Sequence, residues 1–408
     1  MNKRVLYISY DGLLDPLGQS QIIPYIQNIA KNNSIYKVIS FEKSNRFAEY
    51  DNDKRKIYNI NDLSWKPLIF SERFGIFGKL IDLAKMFSVS IFYILSNNLD
   101  TVHARGHPSA LTALIIKKVL LFKKIKFIFD FRGLWADERV EKGGWDLTKK
   151  IHFLQYKIFK NLEKLMLKNA TSTVVLTNKL KRCLNKIAGT DLKKVYVIPC
   201  CADYDFFIPE DHSENKATRQ SLNIPIESFV IGYVGSIGNM YNIDLFYKLI
   251  EIAQNEIENC YGLVMTNDIN LANEKLKQTL SSNLQQKIIN ISVKRQDVPK
   301  YFNVMNVSTI FLNDSYSRLG TSPTKFAESL ALGIPVICSE NIGDLKEHVK
   351  LFEGGYIINI SQDKALGELT KRLHKLKYVD AQKLREKSRK IYSLDSAVKI
   401  YNQLYSEL

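Results

Sequence analysis

The chain has 408 residues, 45% hydrophobic and 25% charged, which is the balance of a soluble protein with two or three domains at roughly 150 residues each. Its net charge of +16 lies wholly in the first half: residues 1–200 hold 34 basic and 17 acidic side chains and the rest hold 24 and 25, which points to an anionic partner there. The five cysteines (Cys183, Cys200, Cys201, Cys260, Cys338) form no CxxC pair, and the most apolar stretch, Phe74–Leu95, is broken by Lys79, Asp82 and Lys85, short of the roughly 20 apolar residues a membrane span needs. Zinc cages, disulfide frameworks and membrane spans are thereby excluded, and the expected setting is cytoplasmic, peripheral on the inner face of the cell membrane.

Short β-branched runs alternate with longer helical patterns, the signature of parallel α/β layers. Strands are predicted at Val5–Ser9, Tyr36–Phe41, Thr101–Ala104, Lys126–Asp130, Thr173–Leu176 and Lys194–Ile198. Helices between them are predicted at Gln19–Lys31, Ile76–Asn97, Ser109–Leu121, Leu147–Asn169 and Asn178–Ile187. The proline-bounded polar stretch IPCCADYDFFIPEDHSEN reads as a linker, placed at 201–215. The pattern then restarts, with strands at Phe229–Val234, Tyr261–Met265, Lys287–Ile291, Ser308–Phe311 and Pro335–Cys338. Its helices are predicted at Asp244–Gln254, Val298–Phe302, Pro323–Ala331, Ala365–Leu376 and Ala381–Ile391. This gives an N-terminal Rossmann-like domain over 1–200, a C-terminal one over 216–380, and helices over 381–408 crossing back to the first. Ligands in such sheets sit beyond the carboxyl ends of the strands. Two facing doubly wound domains with a cleft between them would suit an enzyme that joins a donor to an acceptor.

The segment SRLGTSPTKFAESLALGIPVICSE, residues 317–340, carries the most chemistry. Ser322-Pro323 reads as an N-cap followed by proline at the first helical position, which leaves backbone N–H groups to seat a phosphate. Lys325 in the first turn adds a point charge, and Glu328, three residues on, shares its face and can accept sugar or ribose hydroxyls. An ordinary capped helix with a surface Lys–Glu pair would read the same in isolation, so the surrounding order of features decides.

That order, SPTKFAESLALGIPVI, resembles the donor-binding motif of family 4 glycosyltransferases, which have the GT-B fold. Glu328 matches the motif's second glutamate, and Ala331, Gly333, Pro335 and Val336 match the residues that trail it. Gly320 stands in place of the first glutamate, so the chain resembles the variant branch with S-P-x-K-x-x-E. VYVIPCCADYDFF is similar to the family's I-P-x-x-x-D-x-x-x-F hinge, and FVIGYVGSIGNMYNIDLFYKLIE to its first C-domain strand, glycine loop and helix. Many members carry an arginine and a lysine on the diphosphate in that loop, whereas Ser236 and Asn242 stand near those places here. The resemblance then implies that Lys325 leads in meeting the diphosphate charge, with Arg318 second and Ser322 and Thr324 beside them. VKRQDVPKYFNVMNVSTIFL resembles the segment that flanks the nucleotide base, with backbone at 292–294 framing it.

In the first domain, Gly18 of YDGLLDPLGQSQIIPYIQNIA sits where the family's glycine loop approaches the donor phosphate and the acceptor, although a plain strand-to-helix turn also wants a glycine. HARGHPSALTAL begins at a strand's carboxyl end, where members place a polar group near the donor sugar; Arg105 and His107 compete for that role, and a structural histidine stays open. IKFIFDFRGLWADERVEKGGWD has Arg132-Gly133 where many members have His-Gly. Arg132 would meet a phosphate, Asp137 and Glu138 would contact acceptor hydroxyls, and Trp135 and Trp145 interleave as sugar-stacking or membrane-facing groups would. A solvated charged loop is the competing reading.

The expectation is a retaining glycosyltransferase, with Arg132, His107, Arg105 and Glu328 as candidate catalytic residues. Its co-substrate is a nucleotide-diphosphate sugar, and no bound metal and no further cofactor are expected. The expected acceptor is a saccharide or lipid-linked saccharide in the assembly of a surface glycan such as capsule or lipopolysaccharide. KKVLLFKKIKF (117–127) and TKKIHFLQYKIFKNLEKLMLK (148–168) mix lysines with apolar residues, which suits an anionic membrane surface. No nucleic-acid-binding module is recognisable. The rivals are a nucleotide-sugar epimerase of the same fold and a catalytically degenerate nucleotide-sugar-binding subunit.

Overall fold

The computed structural model describes residues 4–31, 35–60, 63–72, 75–238, 240–360 and 364–408; Phe74, the first residue of the most apolar stretch, lies outside the described residues. The chain divides into two units, Met1–Pro199 with Leu394–Leu408, and Cys200–Ser393. In each, the short β-branched runs form a wholly parallel sheet, and the central strands are buried on both faces, as continuous apolar runs require.

The first unit's strands are Arg4–Ser9 (β1), Ile35–Glu42 (β2), Leu63–Ile69 (β3), Thr101–Arg105 (β4), Lys126–Asp130 (β5), Ser172–Val175 (β6) and Val195–Val197 (β7), in the order β3-β2-β1-β4-β5-β6-β7. Strand order reverses between β1 and β4, which pair from Val5↔Thr101 to Ser9↔Arg105. The second unit's strands are Phe229–Val234 (β8), Cys260–Met265 (β9), Ile288–Ile291 (β10), Val307–Ile310 (β11), Val336–Ser339 (β12) and Gly355–Ile358 (β13), in the order β10-β9-β8-β11-β12-β13. Here the reversal falls between β8 and β11. Both sheets are doubly wound, and the crevice beyond such a reversal is where this architecture holds ligands.

Several elements differ from the sequence expectation, each for a local reason. The single helix expected over Gln19–Lys31 is two, Pro16–Gln21 and Ile23–Ala30, because the backbone turns at Ile22 (φ −123°, ψ −62°) before Pro24. Helix Trp135–Glu141 precedes the long helix, which spans Lys150–Asn169. The stretch read as a linker is core in its first part, where Cys200, Cys201, Ala202, Tyr204 and Phe207 are buried, and largely exposed from Ile208 on. Helix His212–Ser221 follows it, started by Asp211, whose carboxylate accepts the Glu214 N–H at 2.8 Å. Helix Ala381–Tyr392 belongs to the second unit and Leu394–Ser406 to the first, where Tyr401 and Tyr405 are buried. Among the described residues, no helix is long and apolar enough to cross a membrane, and no group of three or more His, Cys, Asp or Glu side chains is placed to hold a metal ion.

Candidate active site

In the second unit the chemistry gathers around Glu328, on helix Thr324–Ala331 between β11 and β12. Its side chain is wholly buried, yet it is ionised by its neighbours. Oε1 accepts from Arg295 Nη1 at 2.6 Å and Oε2 from Lys325 Nζ at 2.7 Å. Burial alone would raise the carboxyl's pKa, but the Lys325 ammonium and the Arg295 guanidinium outweigh it and hold the pKa below the usual glutamate range. Lys325 meets Glu328 because three residues span one face of a helix. Arg295 is brought by a different segment, the short turn Arg295–Asp297 after β10.

The hinge-like motif supports this arrangement within the same unit. Asp203 Oδ1 accepts the N–H groups of Asp205 at 2.9 Å and Phe206 at 3.2 Å, which tightens the turn carrying two aromatic rings. The Arg295 guanidinium lies over both, 5.4 Å from the Phe206 ring centre and 5.0 Å from that of Phe207. Arg385 then staples the turn: it donates to the carbonyl oxygens of Phe207, Tyr204 and Ala331. Sequence reading passed over Arg295, one residue beyond the backbone it assigned to the base. Its proximity to the motif glutamate is a tertiary fact, with no spacing rule to reveal it.

The helix start differs in detail from the expected cap. Pro323, not Ser322, is the N-cap residue, and it has no side-chain oxygen to offer. The Ser322 hydroxyl is buried and accepts the Cys200 N–H at 3.1 Å. Thr324 opens the helix, half-buried. At the other end, Gly333 takes φ +71°, and a Cβ there would stand 2.7 Å from both Cβ and O of Ala381, so the motif's glycine is required twice over. Arg318, in the turn Tyr316–Gly320, is buried, with Nε and Nη1 lacking a hydrogen-bond partner. Ser236 is exposed at the end of β8. Asn242 serves as a helix cap: Oδ1 accepts the Leu245 N–H at 2.9 Å, while Nδ2 donates to Asn313 Oδ1 at 3.1 Å.

The first unit groups its candidates into two separate networks. At the carboxyl ends of β4 and β5, Asp130 Oδ2 lies 3.5 Å from Arg105 Nη1 and Oδ1 lies 3.3 Å from Arg132 Nη1. Arg105 Nε is also 3.7 Å from Asp11 in the loop after β1. His107 belongs elsewhere: its Nε2 is 3.1 Å from the buried Glu163, and Phe129, Phe131 and Trp135 surround its ring. Lys160 bridges Glu163 at 2.5 Å and Asp137 at 2.9 Å, and Tyr156 donates to Asp137 at 2.8 Å. Glu138 instead pairs with Lys142 at 2.9 Å. Trp145 is buried, edge-on to Trp135 at 5.5 Å, so it faces neither sugar nor lipid.

Gly18 is buried in the short helix Pro16–Gln21, where a Cβ would fall 2.1 Å from the Gly12 carbonyl oxygen. Its glycine is thus demanded by packing against its own loop. That loop hangs on Glu42, at the end of β2, which accepts the N–H groups of Leu13 at 2.7 Å and Leu14 at 3.1 Å and the Ser40 hydroxyl at 2.6 Å. Sequence reading missed Glu42 as well, although a carboxylate at a strand's carboxyl end was the available signal.

Against known proteins, residues 214–391 match the family model described as Glycosyl transferases group 1. No curated protein matches the sequence. Among solved structures, sucrose-phosphate synthase from Thermosynechococcus elongatus is similar with a TM-score of 0.72 at 14% identity, over 100% of this chain and 99% of that one. Anabaena HepE in complex with UDP and glucose gives 0.71 at 12% identity, over 100% of both chains. WaaG, a glycosyltransferase involved in lipopolysaccharide biosynthesis, gives 0.68 at 13% identity, over 97% of this chain and 99% of that one. The chain therefore has the GT-B fold, and its second unit carries the segment that matches the group 1 glycosyl transferases.

Proposed function

We propose that the protein is a glycosyltransferase that moves a sugar from a nucleotide-diphosphate sugar to a saccharide or lipid-linked saccharide in surface glycan assembly. The observation that carries this reading is the buried Glu328 with Lys325 and Arg295 on it, inside the segment that matches the group 1 glycosyl transferases. In the proposed step the bond from the sugar's C1 to the diphosphate oxygen breaks, and its electron pair leaves on the diphosphate. The acceptor oxygen bonds C1 on the same face, with retention, and the acceptor's hydroxyl proton passes to the departing diphosphate oxygen. Positive groups fixed in advance where that charge develops are the largest usual contribution to such catalysis. No bound metal is required by this scheme.

The first unit is the membrane-facing part of this reading. Helix Gly106–Val119 adjoins both Gly75–Ser96 and Lys150–Asn169. These helices and the turn after Gly106–Val119 expose Phe92, Val119, Leu121, Phe122, Ile151 and Leu154, with Leu121 and Phe122 about three-quarters exposed. Lys118, Lys124, Lys150 and Lys157 lie among them in sequence. Lys117 and Lys160 are spent internally, on the Asn169 carbonyl and on Asp137 and Glu163. Exposed apolar side chains with lysines close to them in sequence fit an anionic lipid surface at the cytoplasmic face.

The test is release of nucleoside diphosphate from UDP-, GDP-, ADP- and dTDP-sugars, with and without a bacterial lipid-linked saccharide extract. Release that depends on the acceptor supports transfer. Acceptor-independent release or isomerisation indicates an epimerase, and binding without turnover a degenerate subunit.

A further inference from the structure

Glu328 occupies the place of a motif glutamate that would be expected to read hydroxyl groups, yet it is closed to any ligand. Its side chain has 0% exposure and both oxygens are engaged, whereas the side chains of Lys325 and Arg295 are 30% and 34% exposed. An ammonium has three N–H donors and a guanidinium five, so each cation spends part of its capacity on Glu328 and keeps donors for something outside. One carboxylate between two cations leaves an excess of one positive charge at the surface. The glycine loop from Gly235 to Asn242 contains no basic residue to compete for an anion.

We infer that Arg295 and Lys325 form a two-cation clamp for the diphosphate of the sugar donor, and that Glu328 is the positioning residue that holds the clamp open rather than a contact of the sugar. The inference rests on the glycosyltransferase reading. Three further observations support it. Arg295 is packed against the Phe206 and Phe207 rings, which fixes its guanidinium beside Glu328 while its side chain stays 34% exposed. The clamp stands at the first turn of an eight-residue helix, whose unpaired N–H groups favour the same charge. Arg318, in the turn that leads into that helix, is buried with Nε and Nη1 unpartnered, a cost that an anionic ligand nearby would offset. Arg219 of the same unit shows what a purely structural arginine looks like: its two terminal nitrogens reach the carbonyl oxygens of Ile226, Ser228 and Val304 and the side chain of Asn306.

The experiment titrates the full chain by calorimetry with inorganic pyrophosphate, and then with the tightest of UDP, GDP and ADP and its matching monophosphate. Arg295→Gln should weaken pyrophosphate and the diphosphate by roughly tenfold or more, the scale of a lost charge-assisted hydrogen bond, and the monophosphate much less. Arg295→Lys, which keeps the charge, should recover part of the loss. Glu328→Gln should weaken the diphosphate while leaving the monophosphate unchanged, with melting curves confirming that each variant folds. Pyrophosphate binding equal to wild type in Arg295→Gln, or no pyrophosphate binding by the wild type, overturns the clamp. Equal loss of mono- and diphosphate in Glu328→Gln would show that this glutamate reads the nucleoside instead. These outcomes are separate from turnover of nucleotide sugars, so a failure of the clamp is told apart from a failure of the glycosyltransferase reading.

Discussion

Arg105 and Asp130 end neighbouring strands in register, and Arg105 Nη1 stands 3.5 Å from Asp130 Oδ2 with both side chains buried. Burial would raise the Asp130 pKa, but Arg132, the His103 ring and Arg105 together hold it well below the usual carboxylate range. Asp130→Asn should therefore destabilise the protein at neutral pH by about 3–5 kcal/mol, because two guanidiniums lose their buried counter-charge. The sign of the pH dependence follows. A depressed pKa gives stability that is present above the unfolded value, near 4, and is lost as pH falls toward the folded one. Denaturant melts of both proteins at pH 7 and pH 3.5 check this, and a gap that fails to narrow in acid would count against the pairing.

Gly333→Ala should lower stability by at least about 1–2 kcal/mol from the left-handed backbone alone, with the close approach of Ala381 adding to it. Ala381→Gly placed in the same chain removes the Cβ half of the contact but leaves the carbonyl contact and the backbone strain. Thermal melts of the single and double variants should show partial recovery.

Binding to vesicles of phosphatidylglycerol and phosphatidylcholine should fall when Leu121 and Phe122 are both changed to serine, and should weaken as salt rises. Co-sedimentation reads both effects, and nucleotide-sugar turnover on a soluble acceptor should be unaffected. Charge reversal at Lys118 and Lys124 should act in the same direction. Salt-independent binding would point to a purely apolar contact.

On the proposed reading, turnover of the nucleotide sugar should persist in a strong chelator, since the proposed clamp cations and the helix start would supply positive charge at the diphosphate. Transfer that stops on chelation and returns with a divalent ion would refute this.

The sequence made the central strands legible because each is a short β-branched run buried on both sides. The two strands it concealed, β3 and β13, are both sheet edges. β3 contains Pro67, which an edge strand tolerates because it can spare one N–H, and Pro67 sits opposite Ser40 on its single neighbour. β13 opens on Gly355 at φ +144°, a residue that reads as a turn. At the site, Lys325 and Glu328 were legible because three residues define one helix face. Arg295 was not, since it lies 33 residues away in sequence from its partner. Asn242 was placed near the phosphate by motif position, while its side chain is occupied in capping a helix, a role set by local backbone geometry.

The return of helix Leu394–Ser406 to the first unit sets the order of translation against the order of packing. Tyr405 reaches His103 Nδ1 at 2.6 Å and Tyr36 at 3.4 Å, beneath a sheet whose strands were all synthesised before Cys200. While Cys200–Ser393 is being made, that buried histidine lacks the tyrosine hydroxyl on its Nδ1, and the seat of Tyr401 stands open. The first unit thus begins to leave the ribosome before the second and is completed after it, and the nascent chain must carry an unfinished core through the synthesis of the entire second unit.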